Sequence, residues 1–151
     1  MTRRVISCSF IAAILIFFLL NFISCGPHFG QIMISAPDEY KKTFEAKEKF
    51  ILKAVAAILQ EKNMGTNVKI RPKENMVETD YIIQDDWRIK SIARVKRLNW
   101  RECELVLSVI TEKKTENGWE MRRLLEQDQY DTLFFVIETQ IYEEMGKIDQ
   151  D

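Results

Sequence analysis

The sequence predicts an α+β domain: an antiparallel sheet of about four strands flanked by an N-terminal and a C-terminal helix. Three observations lead there. Apolar residues recur at helical spacing from Tyr40 to Leu59 and again from Tyr130 to Met145. Between those stretches the period drops to two, in Val68-Lys69-Ile70-Arg71 and along residues 103–111. Asn117-Gly118, a strong hairpin signal, interrupts the strand-like region near its end. The 151 residues, 46% hydrophobic and 30% charged, suit one compact domain and exclude a disordered or collagen-like chain.

In chain order, residues 1–24 come first. They carry Arg3 and Arg4, no acid, and a nearly unbroken apolar run from Val5 to Ile23. A basic start followed by an apolar core is the layout of a secretory signal. The run also approaches the ~20 residues that span a bilayer, so an uncleaved N-terminal anchor making a single-pass membrane protein competes with a cleaved signal peptide. Residues 25–34, opening Cys25-Gly26-Pro27-His28, read as a tether, since Gly and Pro disfavour regular structure. The single domain is expected over residues 35–147, with a polar tail at 148–151.

Within the domain, Ser35-Ala36-Pro37-Asp38 predicts a helix start, with a capping Ser and acids near the positive end of the dipole. Tyr40, Phe44, Ile51, Val55 and Ile58 form its apolar stripe, and Asn63 and Gly65 end it. Val68 to Arg71 predicts a short strand stopped by Pro72, at a sheet edge. Met76–Ile83 predicts a second strand, and Asp85-Asp86 a turn. Trp87 to Thr111 is strand-like, with a break or hairpin near Ser91 or Asn99. Cys103, Leu105, Leu107, Val109 and Thr111 share one face there, so Cys103 is expected to be a buried small hydrophobe. Lys113–Gly118 predicts a loop, Trp119–Glu126 the returning strand, and Asp128–Met145 the final helix, closed by Gly146.

The junction Phe22-Ile23-Ser24-Cys25-Gly26 places a small residue directly before a cysteine at the end of the apolar run. It resembles the lipobox of bacterial lipoproteins, with Phe22 standing where Leu is common, and this favours cleavage over a permanent anchor. The resemblance implies cleavage before Cys25, lipidation of Cys25 with diacylglycerol and palmitate, and a cell-envelope location facing the periplasm or the surface. Gly26, in place of an inner-membrane-retaining Asp, points to the outer membrane. Cleavage removes two cations and no acid, leaving 20 cations against 23 acids, a net charge of −3. The opening helix, the hairpin through Trp100–Glu126 and the closing helix, taken with the lipobox, resemble BamC-like helix-grip envelope lipoproteins.

For chemistry, the one histidine, His28, lies in the tether without convergent partners, so neither a metal site nor a cofactor is expected. The sequence contains no G-x-S-x-G, P-loop or HExxH motif, so no catalytic residue is assigned and an enzyme is not expected. The main local anomaly is basic. Arg88, Lys90, Arg94, Lys96, Arg97 and Arg101 fall within fourteen residues that contain no acid. On a strand, Arg88, Lys90, Arg94 and Lys96 share one face, which offers a surface for anionic lipid, glycolipid or an acidic protein partner. The alternative is a solvated face balanced by neighbouring acids. Nucleic acid is not expected as a partner, because the chain is exported and acidic. The expectation is a non-enzymatic envelope lipoprotein, held to the membrane by its lipid, whose domain binds an envelope protein as an accessory to assembly or transport; the alternative is a lipid- or glycolipid-binding lipoprotein using strand 88–101.

Overall fold

The computed structural model describes residues 32–147. The expected signal peptide, the lipidated Cys25, most of the tether and the polar tail lie outside them. Seven strands and two long helices follow in the order β1 (Tyr40–Phe44), α1 (Glu48–Glu61), β2 (Thr66–Arg71), β3 (Met76–Asp80), β4 (Ile82–Gln84), β5 (Trp87–Arg97), β6 (Cys103–Thr115), β7 (Gly118–Met121) and α2 (Gln127–Gly146). All strands join one antiparallel sheet, with β1-β6-β5-β3-β2 as its main path. β4 continues the β3 side of β5, and β7 the β1 side of β6.

The centre of the sheet is the hairpin of β5 and β6, which stay in register from Trp87↔Lys113 to Arg97↔Cys103. Its turn lies at Asn99, whose side-chain oxygen accepts the backbone N–H groups of Arg101 and Glu102. Asn competes well for this role because its short side chain closes a local turn. Ser91, the other candidate for the break, is fully buried inside β5. At the far end Glu116-Asn117 makes the two-residue connection to β7, and Gly118 takes φ 120°.

Both helices cover the same face of the sheet. Ile51, Val55, Ile58 and Leu59 of α1 and Tyr130, Phe134, Ile137 and Ile141 of α2 meet Val77, Ala93, Val95, Cys103, Leu105 and Leu107 in one core. Each such large side chain contributes about 1.5–3 kcal/mol when fully buried. The Tyr130 ring stacks on Tyr40 at 3.9 Å, and its hydroxyl accepts the Val109 N–H at 3.0 Å. Burial pushes the Tyr130 hydroxyl up to about 12. α2 opens with a capping box, in which the Glu126 N–H donates to Gln129 Oε1 at 2.8 Å and the Glu126 carboxylate accepts the backbone N–H of Gln129.

The first helix differs from expectation. Residues 40–44 form β1, paired with β6 from Tyr40↔Leu107 to Phe44↔Cys103, and the helix starts only at Glu48. The reason is a degeneracy of spacing. Residues four apart fall on one face of a helix and also on one face of a strand, so Tyr40 and Phe44 satisfy both patterns. Pairing with β6 decides, and the strand tolerates Lys42 on the same face as Tyr40 and Phe44 because its Nζ reaches Glu138 of α2 at 2.8 Å. The sheet therefore has seven strands rather than about four: residues 40–44 add β1, Met76–Ile83 divides at Tyr81, and β4 and β7 extend the central hairpin on either side. Strand pairing also starts earlier than residue 35: Met33 bridges Arg122, and the Ile34 N–H donates to the Met121 carbonyl at 3.2 Å.

A buried polar knot fixes the turn between α1 and β2. Ser91 Oγ donates to the Met64 carbonyl at 2.8 Å, and the Ser91 N–H donates to Thr79 Oγ1 at 2.9 Å. Gly65 passes beside this pair at φ 133°, where a Cβ would stand 1.9 Å from Thr79 Oγ1. Gly65→Ala therefore forces both a strained backbone and a displaced hydrogen bond. It should lower unfolding stability by about 2 kcal/mol or more, whereas Gly118→Ala, with open space around its Cβ position, pays only the backbone strain. Urea unfolding of the two variants side by side checks the order.

Candidate functional site

The strand pattern of β5 divides its residues between two environments. Ser91, Ala93 and Val95 face the helices and are buried. Arg88, Lys90, Ile92, Arg94 and Lys96 face the other way, onto the side of the sheet that carries no helix. The expected basic face therefore exists in its backbone geometry. Arg97 lies on the helix side of β5, and Arg101 lies in the turn beyond it, so the six cations do not form one surface.

Most of these charges meet carboxylates from distant parts of the chain. Arg88 Nε donates to Glu112, its direct cross-strand neighbour. Arg94 reaches Glu39 at 3.4 Å, and Arg101 reaches Glu45 at 3.3 Å. Arg97 holds Glu48 at the start of α1 through two hydrogen bonds of 2.5 and 2.7 Å. That hydrogen bonding keeps the Glu48 carboxyl below its ordinary value. Lys96 stands opposite Glu104 across the β5–β6 pair. On the neighbouring strands Lys69 pairs with Asp80 and Arg71 with Glu78, so the helix-free face alternates in sign.

The best-built part of this face surrounds Arg88. Its guanidinium carbon lies 4.3 Å from the Tyr81 ring centroid and 4.5 Å from that of Trp119. Lys90 Nζ lies 4.9 Å from the Tyr81 ring centroid. The two rings come from opposite sides of the central hairpin, Tyr81 from the link between β3 and β4 and Trp119 from β7. Burial pushes the Glu112 carboxyl up, but hydrogen bonds from Arg88 and Tyr81 together outweigh it and hold the group below its ordinary 4.5. Burial raises the Tyr81 hydroxyl, and its hydrogen bond to Glu112 adds to that shift. The cluster is satisfied internally: a flat cation lies against two rings, with a carboxylate fixing its tilt.

The three tryptophans separate. Trp119 belongs to the Arg88 cluster, Trp87 lies under Lys113 Nζ at 5.6 Å, and Trp100 is 84% exposed at the tip of the β5–β6 hairpin. Cys103 is buried, and desolvation raises its thiol above the ordinary value, so it is a poor nucleophile.

Sequence reading missed a second feature on the helix side. A groove of about 680 Å³ opens between α1 and the β2 edge of the sheet. Leu52, Ile70 and Pro72 form its floor, and Lys47, Lys49 and Lys53 its rim. Lys49 and Lys53 were legible as the polar face of a helix. That this face overlooks an edge strand depends on where α1 lands, which no local pattern states.

Because Glu112 is held below 4.5, its contribution to stability is complete above that pH and is lost as pH falls through the lower folded-state value. Glu112→Gln should cost about 1–2 kcal/mol at neutral pH. The variant should also lose less stability than the parent below pH 4.5, as read by denaturant midpoints across pH.

No family model matches the chain, and no curated protein matches it. Among solved structures it is similar to a TBP-like protein from Parabacteroides distasonis ATCC 8503, with a TM-score of 0.39 and 10% identity over 74% of this chain and 96% of that one.

Proposed function

We propose that this protein is a non-enzymatic, lipid-anchored protein of a bacterial envelope, whose α+β domain serves as an accessory protein-binding module in envelope assembly or transport. The Ser24-Cys25 junction at the end of a basic-then-apolar leader carries this reading. The start of the domain supports it. Ile34 and Ile32 are strapped to the end of β7 and the residues just after it, the Ile34 N–H donating to the Met121 carbonyl and the Arg123 N–H to the Ile32 carbonyl at 2.9 Å. Only six residues, 26–31, separate Cys25 from that strap. With seven Cα steps from Cys25 to Ile32, the reach is at most about 25 Å, so a lipid on Cys25 would hold the β7 end of the sheet close to the bilayer. Two or three acyl chains at ~0.8 kcal/mol per buried methylene make such attachment permanent. Gly26 favours the outer membrane, and the helix-grip lipoproteins remain the kind of protein this arrangement suggests.

The pairing of the strand 88–101 cations favours a protein over a lipid as the domain's ligand. A bilayer of anionic headgroups draws on unpaired, mobile charge. Here Arg88, Arg94, Arg97 and Arg101 already face carboxylates. A face of alternating sign with ordered aromatic rings suits the fixed complementarity of a protein partner.

Intact mass of the protein extracted from bacterial membranes tests the anchor. The expected species begins at Cys25 and carries acyl mass, while Cys25→Ala leaves the leader uncut and unmodified. An uncut, unmodified parent chain would instead establish a transmembrane anchor and remove the main support for the reading.

A further inference from the structure

The groove between α1 and β2 combines three things that no other part of the described chain brings together. The first is a free strand edge. The main path of the sheet ends at β2, so among the described residues half of that strand's backbone groups have no strand to pair with. A register shift between Thr66 and Lys69 and the stop at Pro72 confine the regular part of the edge to Lys69, Ile70 and Arg71. The second is an apolar floor beside that edge. Ile70 is 42% exposed and points to the helix side, where it lines the groove with Leu52 and Pro72. An exposed isoleucine on an edge strand is the residue such edges usually avoid.

The third is charge. Lys47, Lys49 and Lys53 rim the groove and are all exposed. Lys49 and Lys53 are four apart on α1, hence one turn apart on the same face. The acid of this rim, Glu48, is already held by Arg97. The groove lining therefore carries a net excess of about three cations, of which Lys53 also interacts with Glu144 of α2, where the chain as a whole is acidic.

From these we infer that the α1–β2 groove takes an extended acidic peptide of another protein. The peptide adds a strand to Lys69–Arg71, lays one apolar side chain on Leu52, Ile70 and Pro72, and sets carboxylates against Lys47, Lys49 and Lys53. Strand addition supplies affinity through main-chain hydrogen bonds, and the pocket for alternate side chains supplies selectivity. The length of regular edge limits the paired core of the peptide to about three or four residues. This inference rests on the binding-module reading, names its partner chemistry, and is independent of lipid on Cys25.

Hydrogen exchange of the full chain in phosphatidylcholine nanodiscs, followed by mass spectrometry, tests it. The probe is a blocked hexapeptide of alternating Asp and Val; the controls are the same peptide with Lys for Asp, and phosphatidylglycerol vesicles. The Asp/Val peptide should slow exchange over residues 66–71, and the K49E/K53E variant should weaken that response about tenfold. Exchange in β5 and β6 reports whether the variant is folded, and K49Q/K53Q replaces it if it is not. No protection of β2, equal protection by the Lys peptide, or an unchanged response in the folded variant would overturn the proposal. Vesicles that protect α1 in place of the peptide would overturn it as well, and assign the groove to lipid. Cys25→Ala should respond as the parent does, so failure here leaves the anchor intact, and an unlipidated Cys25 leaves the groove intact.

Discussion

The register of β5 against β6 is the constraint on which the other elements depend. Eleven consecutive residues of β5 are matched to β6, from Trp87↔Lys113 to Arg97↔Cys103, a ribbon about 35 Å long. Every other strand except β2, which pairs with β3, joins the sheet directly on one of these two. β1 and β7 lie end to end along the free side of β6, and β3 and β4 along the free side of β5. A slip of one residue would exchange the faces of the whole ribbon, placing Arg88, Lys90, Arg94 and Lys96 under the helices. Ala93, Val95, Leu105 and Leu107, each at most 5% exposed, prevent it, because the cost of burying the cations is far larger than any gain from the turn.

The two sides of that ribbon are held by different physics. On the helix side, nearly uniform apolar packing leaves only a few buried hydroxyls, and the knot of Thr79, Ser91 and the Met64 carbonyl turns those into a fixed joint between the end of α1, β3 and β5. On the helix-free side no helix covers the sheet, and cross-strand ion pairs and ring contacts order the surface around the buried Ser108 and Ile110. Surface pairs of this kind contribute little each. Glu112 is the exception, since Arg88, Tyr81 and partial burial act on it together.

The second helix, the Asn117-Gly118 hairpin and the edge position of β2 were legible because each rests on local chemistry: a 3.6-residue stripe, a residue tolerant of positive φ, a proline that ends a strand. The first strand was not, since Tyr40 and Phe44 serve either period and the choice fell to pairing with Cys103–Leu107 some sixty residues on. The same distance in sequence hid the fate of the basic stretch. Its cations were plain, but their partners Glu39, Glu45, Glu48 and Glu112 approach only when β1, α1 and β6 have assembled around β5.

Sequence alone determined the α+β class, the faces of β5 and β6, and the burial of Cys103, because alternation and helical period are properties of neighbours along the chain. It also carries the whole case for an anchored envelope protein, in the leader and Cys25. The tertiary structure decided which charges meet carboxylates. It neutralised much of the strand that looked basic, and it set Lys47, Lys49 and Lys53 over an unpaired strand edge. Charge is written residue by residue, but electrostatic potential is a sum over space, and only folding fixes the distances in that sum.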